Sequence, residues 1–343
     1  MKKSLFFGFA AVVALSSCTT NEEVLNVKEY SDLSFGTFVD KSTKAPVATL
    51  ETPGKDFTVW GYHIANTASE WTTPEVLWAN GETVTRGSSA WGYTNTKQWI
   101  PNRQYRFLAS SPAAVAATCT PSAGTLTFTD FTVVPTIADQ TDLLVATRYE
   151  RNTTDFSNTA INFTFKHILS KVKVAFNTTS LYPIKLTEVK LSGIGSKGSC
   201  VATPDVSTTT DAAINAVWTL GEADLLSFNG GLNSDASLPA TTVPQPFISL
   251  DELLMIPQTF DAEKPLQLLV KYTVDGKGDP TDVDNSVFTK TLNITGAWES
   301  GHSITYLVTI NTGNGEGSGN DITFGMTTVV GWTNDSSIPG AID

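Results

Sequence analysis

Apolar and polar residues alternate one by one along several stretches of this chain, and this pattern constrains its fold more than any other feature. In residues 161–169 the side chains of Ile161, Phe163 and Phe165 share one face, and residues 266–274 and 304–310 repeat the pattern. A period of two is that of a half-buried strand, whereas a helix repeats every 3.6 residues. Only 16% of residues are charged, while Thr, Val and aromatic residues are plentiful, which is typical of strands. The sequence therefore predicts an all-β fold.

Short runs punctuated by Gly, Pro and Asn predict further strands, and their spacing indicates a β-sandwich. These runs are residues 33–39, 57–62, 105–110, 126–131, 143–148 and 322–332. The stretch from 161 to 176 predicts two antiparallel strands broken at Ser170, and only residues 113–117 and 250–254 look briefly helical. The mature chain is long enough for two domains, so we expect an N-terminal β-sandwich over residues 31–160 and a C-terminal one over 161–343.

The N-terminus has the marks of an export signal. Lys2 and Lys3 precede an apolar run too short to span a bilayer, and Leu-Ser-Ser-Cys18 matches the bacterial lipobox. This predicts a signal peptide over residues 1–17, lipidation of Cys18, with palmitate among the chains, and a polar tether to residue 30. The mature protein would be a surface-exposed outer-membrane lipoprotein, since two or three acyl chains anchor it firmly. An ordinary signal peptide with a chance cysteine is the alternative.

The charge and the cysteines exclude several classes of partner. The formal net charge is −12 with no basic block, which argues against nucleic acid. Cys119 and Cys200 remain beside Cys18, and no metal-type cysteine pair exists. We expect Cys119 and Cys200 to lie in different domains as two free or buried thiols.

No stretch of the sequence predicts an active site, a cofactor or a metal. Residues 193–198 fit GxGxxG, but no helix pattern follows, so a strand connection is expected. The three histidines, His63, His167 and His302, lack metal-ligand spacing, and no GxSxG elbow is present. The neighbours Asp251 and Glu252 would face opposite ways on a strand. An aspartate-rich loop would suit calcium or simply be a solvated hairpin tip; its members are Asp275, Asp279, Asp282 and Asp284.

The first half of the chain is rich in large aromatic residues. They could stack on sugars if exposed or fill the core of a β-sandwich, and the sequence leaves both readings open. The residues are Trp60, Tyr62, Trp78, Trp91, Tyr93 and Trp99.

Several segments in this order resemble the fimbrillin family, the lipoprotein precursors of type V pili in Gram-negative gut and oral anaerobes. They are the lipobox ending in Cys18, Phe57–Tyr62, Trp99–Ala109, Asp142–Ala146, Phe165–Val172, Leu254–Gln258 and Ile322–Trp332. The resemblance covers most of the mature chain.

This resemblance implies two tandem transthyretin-like β-sandwich domains and a maturation step. A trypsin-like protease would cut after Lys44, before Ala45, with Lys41 as the second choice; many relatives carry Arg there, so the identity of the protease stays open. The strand over residues 33–39 would be lost, and a strand of the neighbouring subunit would fill the groove. We expect that donor in residues 322–332, with the side chains of Ile322, Phe324, Met326, Val330 and Trp332 contributing on the order of 10 kcal/mol before ordering costs.

The sequence thus predicts a non-enzymatic pilus subunit for adhesion. Its partners would be other copies or related pilins, the outer membrane through Cys18, a maturation protease and a host or glycan ligand. A non-polymerising anchor or tip subunit, and a surface glycan-binding lipoprotein, are the alternatives.

Overall fold

The computed structural model describes residues 31–39, 50, 53–152, 160–204, 213–221, 225–232, 235–241, 247–274, 287–311, 322–324 and 328–331. Within these ranges the chain is all-β, with a 3₁₀ turn at Ile137–Asp139 and no α-helix. None of the described residues forms a helix long and apolar enough to cross a membrane. The predicted signal peptide, the predicted tether with Cys18 and the aspartate-rich loop lie outside the described residues.

Within the described residues, the first half of the chain contains ten strands, which include the runs predicted at residues 33–39, 57–62, 105–110, 126–131 and 143–148. In order they are β1 (Phe35–Val39), β2 (Asp56–Ala65), β3 (Glu75–Val76), β4 (Glu82–Arg86), β5 (Trp91–Gly92), β6 (Arg103–Ser111), β7 (Thr118–Thr120), β8 (Thr125–Thr132), β9 (Leu144–Asn152) and β10 (Ile161–His167).

The second half begins with two long strands and continues with many short ones. They are β11 (Ser170–Thr178), β12 (Ile184–Gly195), β13 (Lys197–Pro204), β14 (Ile214–Leu220), β15 (Leu225–Asn229), β16 (Ala236–Leu238), β17 (Ile248–Ser249), β18 (Leu253–Met255), β19 (Gln258–Phe260), β20 (Leu266–Val274), β21 (Val287–Ile294), β22 (Gly296–Trp298), β23 (His302–Ile310), β24 (Ile322–Phe324) and β25 (Thr328–Gly331).

The first sheet has the order β1-β10-β9-β6-β2-β4-β5, with β3 also paired to β2. β1 and β10 run parallel, and the other pairs are antiparallel. The two ends of this sheet, β1 and β5, approach each other, so the sheet curls around the side chains on its concave face. β1 therefore pairs with β10 along one edge, and β5 lies near its other edge.

Four further sheets complete the fold. Their orders are β17-β11-β23-β24, with β18 on β11 and β25 on β23; β15-β12-β20-β21, with β16 on β12; β14-β13-β8-β7; and β19-β22. β11 and β23 pair in parallel over eight residues.

Two hydrophobic clusters lie on opposite faces of the first sheet. The N-terminal core, inside the curl, consists of Leu33, Phe35, Leu50, Phe57, Val59, Trp78, Val84, Trp99, Tyr105, Phe107, Ala109, Leu144, Ala146, Ile161, Phe163 and Phe165. The extended core takes Trp60, Tyr62, Leu108 and Val145 from the other face and continues through the sheets of β8, β11, β12, β20 and β23. The first sheet is therefore buried on both sides.

The prediction that residues 161–176 form an antiparallel pair is wrong. β10 pairs with β1 and β9 in the first sheet, whereas β11 pairs with β17, β18 and β23 in another. The chain crosses between sheets at Ile168 and Leu169, which are both buried. Alternation fixes which face of a strand is buried but not which strand lies beside it.

The two predicted helical stretches are also absent. Residues 113–117 form turns and bends, and 253–255 form β18. The GxGxxG segment is a strand connection, as predicted, because β12 ends at Gly195 and β13 begins at Lys197.

Cys119 and Cys200 are both free, as predicted, but they share one sheet rather than lying in separate domains. They flank β8, where Cys119 lies opposite Leu126 and Cys200 opposite Phe128. Burial raises the pKa of each thiol to about 12, so neither is a reactive thiolate. The domain boundary near residue 160 stays a prediction; the pairing of β10 carries the first sheet to His167.

Candidate strand-exchange site

β1 lies at one end of the first sheet and is the strand that the resemblance expects to be lost. It pairs in parallel with β10, with Phe35 opposite Ile161 and Val39 opposite Phe165. Parallel pairing brings together strands that are distant in sequence, so β1 is held by tertiary contacts alone. Removal of such a strand leaves the pairing between the other strands of the sheet unchanged.

The side chain of Phe35 anchors β1 in an aromatic pocket of the N-terminal core. Its ring lies 5.2 Å from that of Tyr93, 6.0 Å from Phe57 and 6.1 Å from Phe163, measured between centroids. The ring centroid of Trp78, on another side of the pocket, lies 6.3 Å from that of Phe35. The edge-to-face arrangements with Tyr93 and Phe57 add attraction beyond burial of area.

The main chain before β1 is clamped by residues 93–99, which we call the strap. Leu33 N–H donates to the Lys97 carbonyl at 2.7 Å, and Trp99 N–H donates to the Ser31 carbonyl at 3.0 Å. The Tyr93 hydroxyl donates to the Leu33 carbonyl at 2.6 Å. On the other side, Ile161 N–H donates to the Ser34 carbonyl at 2.7 Å.

One buried carboxylate, Glu82 on β4, organises the strap. Its Oε1 accepts the backbone N–H groups of Thr94 and Asn95, each at 3.0 Å, and its Oε2 accepts Asn95 Nδ2 at 2.7 Å. Trp78 Nε1 donates to the Asn95 carbonyl at 2.9 Å. Burial tends to raise the pKa of Glu82, but these hydrogen bonds and nearby Lys97 outweigh it, so the pKa lies below its ordinary value.

The predicted site residues fall in different places. Cys18, Lys44, Ala45, Met326 and Trp332 lie outside the described residues. Ile322 and Phe324 lie on β24 and Val330 on β25, and both strands pair antiparallel with β23 in the same chain. Neither strand pairs with β1 or β10, so the expected donor segment and the expected acceptor groove belong to different sheets.

The candidate catalytic and metal-binding residues do not converge. His63 is buried with its Nε2 3.9 Å from Glu75 Oε2, and burial lowers its pKa. His167 Nδ1 lies 2.8 Å from Asp142 Oδ2, and His302 Nδ1 lies 3.0 Å from the Ser300 carbonyl oxygen. Within the described ranges, no group of three His, Cys, Asp or Glu residues could hold a metal ion. Glu252 pairs with Lys171 and Lys173 instead of acting with Asp251.

The aromatic residues of the first half belong to the cores. Trp60, Tyr62, Trp78 and Trp99 are buried, and Trp91 and Tyr93 pack partly buried against the N-terminal core. Among the described residues no tryptophan is exposed, and Trp71, Trp91 and Trp218 are half-buried.

Sequence reasoning missed Glu82 and Asn95, the residues that shape the strap. Glu82 begins a short strand in an ordinary polar pattern, and nothing in its neighbours distinguishes it from a solvated glutamate. The aromatic residues at 91, 93 and 99 were the available signal, since three large rings near a polar loop indicate a loop that packs on a core.

Comparisons with known proteins support one family. A family model described as fimbrillin-like matches residues 43–332. No curated protein matches the chain. Among solved structures, a candidate cell adhesion protein from Bacteroides uniformis is 15% identical over 88% of this chain and 98% of its own, with a TM-score of 0.44. One from Bacteroides ovatus has the same identity and coverage and a TM-score of 0.45.

The tip fimbrial protein Mfa3 from Porphyromonas gingivalis, solved with a C-terminal truncation, is 9% identical over 89% of this chain and 100% of its own, with a TM-score of 0.40. These TM-scores are low, so the assignment depends on the family match, which extends from the segment behind β1 to the end of β25. The chain belongs to the fimbrillin-like family.

Proposed function

We propose that this chain is a subunit of a cell-surface pilus, exported as a lipoprotein on Cys18 and matured by cleavage after Lys44. Cleavage releases β1 from the first of two tandem transthyretin-like domains, and the C-terminal segment of another copy takes its place. Membership of the fimbrillin-like family supports association with other pilin subunits at the cell surface.

The observation that carries this proposal is the placement of β1. It is an edge strand, no described strand precedes it in the chain, and its pairing with β10 is parallel. Its removal would leave one edge of β10 unpaired and would open the pocket lined by Phe57, Phe163 and Tyr93. An unpaired edge beside an apolar trough is a site for addition of a strand.

The C-terminal segment has the side chains that this groove requires. Leu33-Ser34-Phe35-Gly36 at β1 and Ile322-Thr323-Phe324-Gly325 near the C-terminus share the order aliphatic, hydroxyl, phenylalanine, glycine. Leu33 and Phe35 are the two buried residues of the first segment. A donor in the register of β1 would therefore place Ile322 and Phe324 in the same two positions.

The glycine in this motif also has a reason. A Cβ added at Gly36 would displace the side-chain Oδ1 of Asn162, which lies opposite it in the register. A donor strand in the same register meets the same side chain and therefore benefits from Gly325. Restoring two large apolar anchors is worth roughly 1.5–3 kcal/mol each, in addition to the ladder hydrogen bonds.

Intact mass and N-terminal sequencing of the protein from the cell surface test maturation. We expect a chain that begins at Ala45 and runs as high-mass ladders on unboiled gels. Lys44→Ala should retain the lipidated Cys18 and form no ladders, and Lys41→Ala is the matched control that should behave as the parent. A lipidated chain without ladders in the parent itself would indicate the anchor role instead.

Deletion of residues 322–343 tests the donor. The variant should be cut like the parent, remain folded and form no ladders, although loss of β24 and β25 exposes one edge of β23. Continued formation of ladders by this variant would contradict the assignment of the donor strand.

A further inference from the structure

We propose that β14 is a second, independent assembly surface, through which two copies of this chain pair edge to edge about a two-fold axis centred on Val217. This contact is lateral and needs neither cleavage nor exchange of β1.

β14 is the terminal strand of the sheet β14-β13-β8-β7, so one of its edges has no strand beside it among the described residues. It pairs with β13 over all seven of its residues without a bulge. The pairing with β13 is regular along the whole strand, and such an edge is open to strand addition.

Protective features of edge strands are missing from β14. Its sequence, Ile-Asn-Ala-Val-Trp-Thr-Leu, contains no charge and no proline. In contrast, the terminal strand β21 carries Lys290 at its middle, and the pairing of β15 with β12 is interrupted by an irregularity in register. An uncharged edge matters more here because the chain as a whole carries a net charge of −12, which opposes contact between copies elsewhere.

The free backbone groups of β14 belong to its even-numbered residues. Gly221 N–H donates to the Lys197 carbonyl at 3.0 Å, just beyond the pair formed by Leu220 and Gly198. Because hydrogen-bonded pairs alternate along an antiparallel ladder, odd-numbered residues of β14 bond to β13. The N–H and C=O groups of Ile214, Ala216, Trp218 and Leu220 therefore point to the free edge.

The sequence of β14 is complementary to itself in an antiparallel register centred on Val217. Ala216 then lies opposite Trp218 of the second copy, a small residue against a large one. On the outer face Asn215 lies opposite Thr219, two side chains that can form a hydrogen bond. All four residues with free backbone groups pair with one another across the axis, so the ladder is fully bonded.

The centre of this contact is apolar. Val217 is 55% exposed, and it lies beside Val201 of β13, which is 42% exposed. Pairing about Val217 joins Val201 and Val217 with their counterparts in a continuous stripe of four valines. On the inner face of β14, Trp218 Nε1 donates to the Ile168 carbonyl at 2.8 Å. This hydrogen bond holds the strand in place against the rest of the fold.

Sedimentation of the uncut full chain tests this proposal separately from strand exchange. Cys18→Ser excludes association through lipid, and the intact chain retains β1. We expect the fraction of dimer to increase with protein concentration. The dimer should also bind more tightly at higher salt, because salt screens the net charge. Val217→Lys places like charges opposite each other and should weaken the dimer on the order of tenfold or more. Val287→Lys, on the protected edge strand β21, should dimerise like the parent.

Crosslinking tests the register. In Cys18→Ser, an added Val217→Cys lies at a non-hydrogen-bonded pair, where Cα atoms are about 4.5 Å apart, and should form a disulfide dimer on oxidation. Thr219→Cys should not, because its two copies would be separated by four residues, roughly 13 Å. Half-buried Cys119 and buried Cys200 are common to both variants. A monomeric parent, an unaffected Val217→Lys variant, or equal crosslinking at both positions would overturn the proposal, and ladder formation by the cut chain would be unaffected by any of these outcomes.

Discussion

At the scale of single residues, β1 is held chiefly by Phe35. Its ring touches four aromatic neighbours and is almost fully buried, although it belongs to an edge strand. Phe35→Ala should lower the free energy of unfolding of the uncut chain by about 3 kcal/mol, since it removes a buried ring and leaves a cavity. Urea denaturation measures this change.

Phe35→Leu is the matched control, because it keeps much of the apolar volume and should cost less than about half as much. If Phe35→Ala unfolded at the same urea concentration as the parent, β1 would be dispensable for the stability of the sheet.

The carboxylate of Glu82 predicts a pH dependence of the strap. Its pKa is lower in the folded chain than in the unfolded one, so the carboxylate stabilises the fold fully above about pH 4.3. This contribution is lost as the pH falls through the folded pKa, when protonation removes the charge and turns one of the two accepting oxygens into a hydroxyl donor. Glu82→Gln should cost about 1–2 kcal/mol at neutral pH, and the difference from the parent should shrink on acidification below pH 4.

Unfolding free energies of parent and Glu82→Gln at several pH values give this difference directly. Glu70→Gln, which removes an exposed carboxylate, should show almost no difference at any pH. A constant difference between parent and Glu82→Gln across this range would show that the charge of Glu82 has no part in holding the strap.

The sequence was informative about Phe35 and silent about Glu82, for a physical reason. Leu33 and Phe35 are spaced two apart, and that spacing alone places them on one face of a strand. Glu82 acquires its role from Thr94 and Asn95, a dozen residues away, and no local pattern records that a loop will fold back onto a carboxylate.

At the scale of elements, alternation predicted β20 and β23, and short apolar runs predicted β2 and β6, because each of these strands buries at least one face against a core. It did not predict partners. β1 and β10 are far apart in sequence and parallel, and β10 and β11 are adjacent but belong to different sheets. Pairing depends on long-range packing, which period-two patterns do not encode.

The match between the segments at Phe35 and Phe324 leads to a prediction about register. Gly325→Val should weaken ladder formation by the cut chain, because its side chain would have to displace that of Asn162 in the acceptor, as a Cβ at Gly36 would. Unboiled gels should show fewer high-mass ladders than for the parent. Circular dichroism should show that the subunit is still folded.

The matched rescue is Asn162→Ala in the same chain, which removes the obstructing side chain and should restore ladders to Gly325→Val. Failure of rescue would mean that the donor enters in another register, even if the deletion of residues 322–343 abolishes assembly.

At the scale of the whole molecule, the extended core contains residues from both sides of the domain boundary that the sequence predicts near residue 160. Trp60, Leu108 and Val145 lie on the first sheet, yet they share a cluster with Leu268 of β20 and Val308 of β23. β8, which precedes residue 160, pairs with β13, which follows it. Composition and length predict two domains, but they carry no information about the apolar surface between them.

A shared core predicts that both parts of the chain unfold together. Leu268→Ala, within β20, should cost about 2–5 kcal/mol, as for other buried leucines. Hydrogen exchange should then show that protection falls by the same free energy in peptides from β6 as in peptides from β20, because both depend on the same cooperative transition. Thr273→Ala on the same strand, a partly buried position, is the control and should change neither set. Loss of protection confined to β20 would show that the first sheet is stable by itself, so that release of β1 could loosen it without loosening the sheets that present β14.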